Sequence, residues 1–212
     1  MSQLGKFKSQ PVLTYYDTTY GNFQTSLHEE IRREVYGEDI GQNGWLTADE
    51  QTKFISWLGL TAGKTLLDVA CGAGGPALRI AALTSCTVTG VDIHEKAILT
   101  ARSLASQRGL ESRTDFLVVD ADKQLPFPEA SFNAITCIDA ITYLPDRPRL
   151  LADWARLLRR GGPPAVYQFS GYNGAPHQCR GRSSKFIWLP AVCSMWLRRA
   201  DHCTVWPARR CF

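Results

Sequence analysis

Four short apolar runs, spaced by helical patterns, limit what this chain can fold into: "TLLDVA" (65–70), "CTVTGVD" (86–92), "TDFLVVD" (114–120) and "FNAITCI" (132–138). Helical patterns fill 75–84 and 94–108 between the first three, and a third, 146–159, follows the fourth. Apolar strands alternating with helices predict an α/β, Rossmann-like, doubly wound, mostly parallel sheet covered on both faces. In such a sheet a ligand binds beyond the carboxyl ends of the strands, where the first strand turns into its helix.

That turn reads "LLDVACGAGGPALRIAA" (66–82). Gly72, Gly74 and Gly75 let the backbone bend sharply and approach a ligand, and the helix start near Pro76 and Ala77 adds a positive dipole end. Taken alone, Gly72-x-Gly74-x-x-Ala77 also satisfies a dinucleotide fingerprint, so the loop leaves an NAD(P)-dependent oxidoreductase open. Two carboxylates sharpen the reading. Asp92 ends the second strand, 24 residues after Asp68, where a carboxylate can accept hydrogen bonds from both ribose hydroxyls. Asp68 lies within the first strand, four residues before Gly72. A carboxylate there suits an ammonium or sulfonium ligand and repels a pyrophosphate. Each also has a plainer reading, Asp92 as a solvated strand end and Asp68 as a buried structural carboxyl.

Taken together, "LLDVACGAGG", "VTGVDIHEKAI", "FLVVDADKQLPFPEASFNAI" and "WARLLRRGG" resemble the successive motifs of class I S-adenosylmethionine-dependent methyltransferases. The similarity is to the small-molecule, methyltransferase type 11-like branch that includes ubiquinone/menaquinone, tocopherol and sterol methyltransferases. The motifs span about residues 60–162. The resemblance implies that Asp68, Ala70, Gly72 and Gly74 surround the methionine part of the cofactor. It implies that Asp92 and Ile93 hold the ribose and flank the adenine, that Asp120 and Ala121 meet the adenine edge, and that Ile138 lies near the cofactor. Ala70 stands where many members have glycine. In this family type the acceptor pocket is lined by the segment after the fourth strand and by the N-terminal arm, here "DAITYLPD" (139–146) and "YYDTTYGNF" (15–23). Asp139 and Tyr143 are therefore candidates to orient or deprotonate the acceptor, and Tyr16 and Tyr20 to close over the cofactor. Packing with a satisfied hydroxyl is the alternative for each tyrosine. His94 reads as a helix cap or surface residue, and Cys71 needs no reactivity to sit in the loop.

Residues 1–59 read as an N-terminal helical arm and cap. Within them, 1–22 look irregular, and Leu27, Ile31 and Val35 form the apolar stripe of an amphipathic helix. Thr47-x-x-Glu50 is a capping-box signature, and Phe54, Trp57 and Leu58 are placed against the body of the domain. Residues 60–162 form the cofactor-binding core. The first ten residues carry no signal-peptide pattern and no run approaches 18 apolar residues, which predicts a cytoplasmic protein without a membrane span. The seven cysteines show no paired framework.

Residues 163–212 break the pattern. They hold seven Lys and Arg against one Asp, four of the seven cysteines, three of the six tryptophans and no glutamate. Pro163 and Pro164 open what should be a buried fifth strand, so the C-terminal strands are expected to be missing or replaced. A one-base shift at this point permits the reading "GGRLLYTNS", a plausible fifth strand, so an aberrant basic tail of frameshifted origin is expected. Its His and Cys residues lack the C-x-x-C spacing of a metal site, and its scattered arginines match no nucleic-acid motif. The expectation is thus an enzyme that methylates a small molecule, or a non-catalytic cofactor-binding fragment of one.

Overall fold

The computed structural model describes the backbone of residues 10–160, 164–169 and 184–188. Strands β1 (Thr65–Val69), β2 (Thr87–Asp92), β3 (Thr114–Val118), β4 (Ala134–Ile138), β5 (Pro164–Phe169) and β6 (Ser184–Trp188) form one sheet in the order β3-β2-β1-β4-β5-β6. The first five run parallel and β6 is antiparallel to β5. Chain order reverses between β1 and β4, and this places the ligand crevice at the carboxyl ends of those two strands.

Burial follows from the apolar runs. Leu66 enters a core formed with Phe54, Leu78, Ile98 and Phe116, while Leu67 and Val69 enter a second core with Leu150 and Trp154 on the opposite face. Helices α4 (Gly75–Thr84) and α5 (Glu95–Gln107) pack residues such as Leu78 and Ile98 into the first core, and α6 (Arg147–Leu157) packs Trp154 into the second. Each strand and helix of the core begins and ends within two residues of its expected bounds.

The fifth strand departs from expectation. Pro164–Phe169 continues the sheet beside β4, with Ile135 opposite Pro164. Proline is tolerated here because it holds the first position of the strand, where the chain enters the ladder. The flank of β4 is therefore covered in backbone terms. The rest of the tail reading, 170–183 and 189–212, lies outside the described residues.

The N-terminal arm also differs. Residues expected to be irregular form α1 (Gln10–Gly21), with Pro11 at its start where proline is compatible with a helix. In α2 (Ser26–Tyr36) the apolar stripe faces solvent: Leu27, Ile31 and Val35 are 62%, 45% and 43% exposed. The inward side chain is Arg32. Its guanidinium binds both oxygens of Asp39 at 2.7 and 3.1 Å, donates to the Phe23 carbonyl at 3.0 Å and lies 4.2 Å from the Phe23 ring centroid. A forked ion pair that also stacks on a ring fixes the helix rotation more strictly than three aliphatic side chains do. Helix α3 (Ala48–Leu58) starts with the complete capping box of Thr47 and Glu50 and buries Phe54 and Leu58, but Trp57 points outward.

Candidate functional site

A cavity of about 230 Å³ opens at the carboxyl ends of β1, β2 and β4. Its floor is built from the turn after β1. Ala70 and Gly72 both take left-handed backbone angles, with φ of 57° each, so the chain reverses within three residues. Gly72 N–H donates to Asp92 Oδ2 at 2.8 Å and His94 N–H to Asp92 Oδ1 at 2.9 Å, tying the glycine loop to the end of β2. Immediately after β4, Asp139 is also left-handed, with φ of 52°. Thus the two strands that flank the switch point both end in a left-handed residue that is not glycine. Such strain, on the order of 1 kcal/mol or more at each position, gathers where a site is being shaped.

Two buried carboxyls lie in this floor. Thr136 donates from β4 to Asp68 Oδ1 at 2.7 Å. Burial pushes the Asp68 pKa up to about 7, the Thr136 bond opposes this, and nearby Asp92 adds to it. Asp92 is raised by burial as well and held down by the His94 and Gly72 amides. Cys71 and Cys137, buried beside these acids, are pushed well above the ordinary thiol range and stay protonated.

Of the residues expected around a cofactor, Asp68, Ala70, Gly72, Asp92, Ile93, Asp120, Ala121 and Ile138 all line the cavity. Gly74 does not. It caps α4 in a left-handed conformation, and a Cβ there would fall 2.8 Å from the Ala101 Cβ and 2.9 Å from the Phe116 ring. The missing side chain at Gly74 leaves room for Ala101 and Phe116.

Above the floor lies the arm. Tyr16, Tyr20, Asp139 and Tyr143 all border the cavity. The Tyr16 and Tyr143 hydroxyls are 3.2 Å apart, so α1 meets the segment after β4 across the mouth. Burial drives the Tyr16 and Tyr20 hydroxyls well above the ordinary tyrosine range, so both stay protonated. His94 takes the N-cap position of α5, one of its two expected readings, but its side chain makes no cap bond and is turned inward instead of lying on the surface. Its ring centroid lies 5.3 Å from that of Tyr16 and 5.8 Å from that of Tyr20, and its Nδ1 is 3.6 Å from Asp17.

Sequence reasoning gave no site role to the segment Gly41–Trp45, which precedes α3. Gly41, Gln42, Asn43, Gly44 and Trp45 all line the cavity. Trp45 N–H donates to Asp139 Oδ2 at 2.7 Å, and a Cβ on Gly44 would lie 2.7 Å from that same oxygen. A Cβ on Gly75 would run into the carbonyls of Ile40 and Gly41, so this segment is seated on the first residue of α4. The available signal was two glycines around a buried amide, "GQNG", with a second acid, Asp39, two residues upstream. Gln42 is 3% exposed; its Nε2 donates to the Leu46 carbonyl at 3.2 Å, and its Oε1 is a buried atom with no hydrogen-bond partner in the structure.

The charge of the cavity is one-sided. Asp68, Asp92, Asp120 and Asp139 line it, and no Lys or Arg does among the described residues. It can therefore hold a cation or a neutral group far more readily than a pyrophosphate.

Comparison with known proteins agrees with this chemistry. Residues 66–162 match the family model described as a methyltransferase domain. The chain is 34% identical over 149 residues to 27-O-demethylrifamycin SV methyltransferase of Amycolatopsis mediterranei, an alignment covering 66% of this chain and 54% of the relative. It is 32% identical over 157 residues to a sterol 24-C-methyltransferase of Gibberella zeae, covering 71% of this chain and 40% of that relative. The chain thus spans about half or less of the length of these two relatives. Among solved structures, the [4+2]-cyclase SpnF superposes with a TM-score of 0.59 at 27% identity, covering 77% of this chain and 61% of that one.

Proposed function

The chain carries a class I S-adenosylmethionine-dependent methyltransferase domain, and we propose that it transfers the methyl group of S-adenosylmethionine to a small-molecule acceptor. The observation that carries this reading is Asp68, a buried carboxyl aimed at the ligand crevice beside a glycine loop, with Asp92 at the end of the next strand. The residues fit the cofactor. Asp68 offers a negative charge to a sulfonium and ammonium ligand, and Asp92, already bound to the Gly72 and His94 amides, stands where ribose hydroxyls would reach it. Ile93, Asp120, Ala121 and Ile138 complete the walls of an adenosine site.

The bound cofactor supplies an electrophilic methyl group, and displacement at it needs alignment more than covalent help. The chain's own residues align and exclude water. Tyr16 and Tyr143 close the mouth, and Tyr20 stays protonated beside them. Asp139 is the base for an acceptor hydroxyl or amine, and Tyr143 orients that group. Asp139 has a second task, holding Trp45 N–H and with it the Gly41–Trp45 segment. Asp139→Asn separates the tasks, since the amide oxygen can still accept from Trp45. The variant is expected to bind cofactor within about threefold of wild type and to lose about 100-fold or more in kcat. An unchanged kcat would remove the base role.

The two curated relatives are named for a rifamycin and for a sterol. An uncharged acceptor without a phosphate fits the acidic lining of this cavity for the reason given above. No helix among the described residues is long and apolar enough to cross a membrane, and a cytoplasmic location is part of the proposal. So is the origin of residues 163–212 in a shifted reading frame, which error-checked resequencing of the gene tests directly.

The first test is calorimetric titration of the chain with S-adenosylmethionine, with NADH as control. Micromolar binding of the first and none of the second is expected. Preference for NADH would overturn the reading in favour of an oxidoreductase. Cofactor binding without turnover across an acceptor panel would favour a binding fragment.

A further inference from the structure

Gly44 has no conformational reason to be glycine. Its backbone lies outside the left-handed region, unlike that of Gly41, three residues earlier, at φ 75°. What a side chain at residue 44 lacks is room. The three atoms nearest to a Cβ built there all belong to Asp139: Oδ2 at 2.7 Å, Cβ at 3.1 Å and Cγ at 3.3 Å. The carboxyl group of Asp139 thus occupies the space of the missing side chain. Its Oδ2 accepts from the next amide, Trp45 N–H, at 2.7 Å. A short bond from an amide to a carboxylate is charge-assisted and favours the ionised form. Asp139 also needs holding, since its φ of 52° costs strain in any residue but glycine. The segment that holds it is anchored on both sides. Asp39 accepts from Gly41 N–H at 2.8 Å, the Gly41 carbonyl is seated on Gly75, and Leu46 is fully buried. An added methyl group at residue 44 would therefore move the tip of Asp139 and leave the segment in place.

We infer that Gly44 and Trp45 are positioning residues for Asp139: the absent side chain of one and the N–H of the other form a seat that fixes the carboxylate at the mouth of the cavity. The inference rests on the reading of Asp139 as the base for the acceptor. The arm then does more than close over the site, because it sets the geometry of a group 94 positions away in the chain.

The test compares wild type, Gly44→Ala, Asp139→Asn and the double variant, each as the full chain with isotope-labelled tryptophan amides. The Trp45 amide signal is assigned by its loss in Trp45→Phe. In wild type it is expected to shift with pH as the Asp139 carboxyl titrates. That titration should be lost in Asp139→Asn, and lost in Gly44→Ala, where the methyl group pushes the carboxyl off its seat. The unfolding midpoint of Gly44→Ala should stay close to that of wild type, because the end of one side chain can swing aside. With a simple phenol or alkylamine as acceptor, Gly44→Ala should lower kcat about 10-fold or more. It should leave the KM for S-adenosylmethionine within about twofold and cost nothing further in the Asp139→Asn background. A wild-type Trp45 signal that ignores pH overturns the inference, as does an unaltered titration in Gly44→Ala. So does a kcat loss from Gly44→Ala that is equal with and without Asp139, which would mark Gly44 as merely structural. The spectra need no acceptor and decide the seat by themselves. If Asp139→Asn keeps wild-type kcat while the Trp45 titration behaves as expected, it is the base reading that falls and not the seat.

Discussion

The two loops that meet in the cavity, 70–75 after β1 and 40–46 before α3, are held by different forces. The first is fixed by main-chain bonds: Cys71 N–H to the Val91 carbonyl at 3.0 Å, Gly74 N–H to the Cys71 carbonyl at 3.0 Å, and Gly72 N–H to the Asp92 side chain. It follows directly from the sheet, and its shape is set once β1 and β2 pair. The second is held through side chains. Asp39 accepts from Gly41 N–H at 2.8 Å, Asp139 from Trp45 N–H at 2.7 Å, and Gln42 reaches the Leu46 carbonyl. One loop is a consequence of topology; the other depends on a few carboxylates and amides that could be lost singly. A loop of the second kind belongs to the low-stability end of a structure, where ligand-responsive segments are found.

The sharpest way to break this arrangement is at the point of contact. Gly75→Val places a branched side chain against the Ile40 and Gly41 carbonyls. It is expected to destabilise the chain by about 3 kcal/mol or more and to abolish cofactor binding, read by thermal unfolding and calorimetry. A milder break removes an anchor of the second loop from below. Arg32→Ala strands Asp39 in a mostly buried site, for an expected loss of about 2–3 kcal/mol. Ile31→Gln, one residue away on the exposed stripe, should stay within about 0.5 kcal/mol. Equal losses from the two would show that the stripe is buried in solution.

The first loop is sharpened by Asp68. Asp68→Asn is expected to weaken S-adenosylmethionine by about 10- to 100-fold, the worth of a charge-assisted contact. The sign of its pH dependence follows from the raised pKa. Wild-type binding should strengthen as pH rises through about 7, as the carboxyl ionises to face the cation. The ligand-free protein should do the opposite. Because the folded carboxyl holds its proton more tightly than the unfolded one, stability declines as pH rises from about 4, the ordinary carboxyl value, towards the folded value of about 7. Asp68→Asn should flatten both profiles. The smallest effect is expected at Ala70, whose left-handed φ of 57° a glycine would adopt without strain. Ala70→Gly should raise stability by about 0.5 kcal/mol, strain relief offset by the greater freedom of glycine in the unfolded chain. A loss would show that the Ala70 methyl makes contacts worth more than the strain.

How much of this was readable beforehand depended on the range of the forces. Periodicity fixed the core strands and helices to within two residues, because burial on both sheet faces leaves a local signature. It misled at α2, where Arg32 and its partners Phe23 and Asp39 overrode three aliphatic residues at perfect helical spacing. It misled again at Pro164, since a rule about proline inside a strand does not apply at a strand's first residue. At the cavity, Asp68, Gly72 and Asp92 were legible by spacing, while the room that Gly74 leaves for Phe116 was not.

The sequence by itself determined the alternation of strands and helices, the glycine turn and the acids at the ends of β1 and β2, because each is written in neighbouring residues. Tertiary structure alone decided that the arm reaches the same cavity: Tyr16 meets Tyr143 across 127 positions, and Trp45 meets Asp139 across 94. Contacts at such separation are set by how finished elements pack, and no local pattern of residues encodes them.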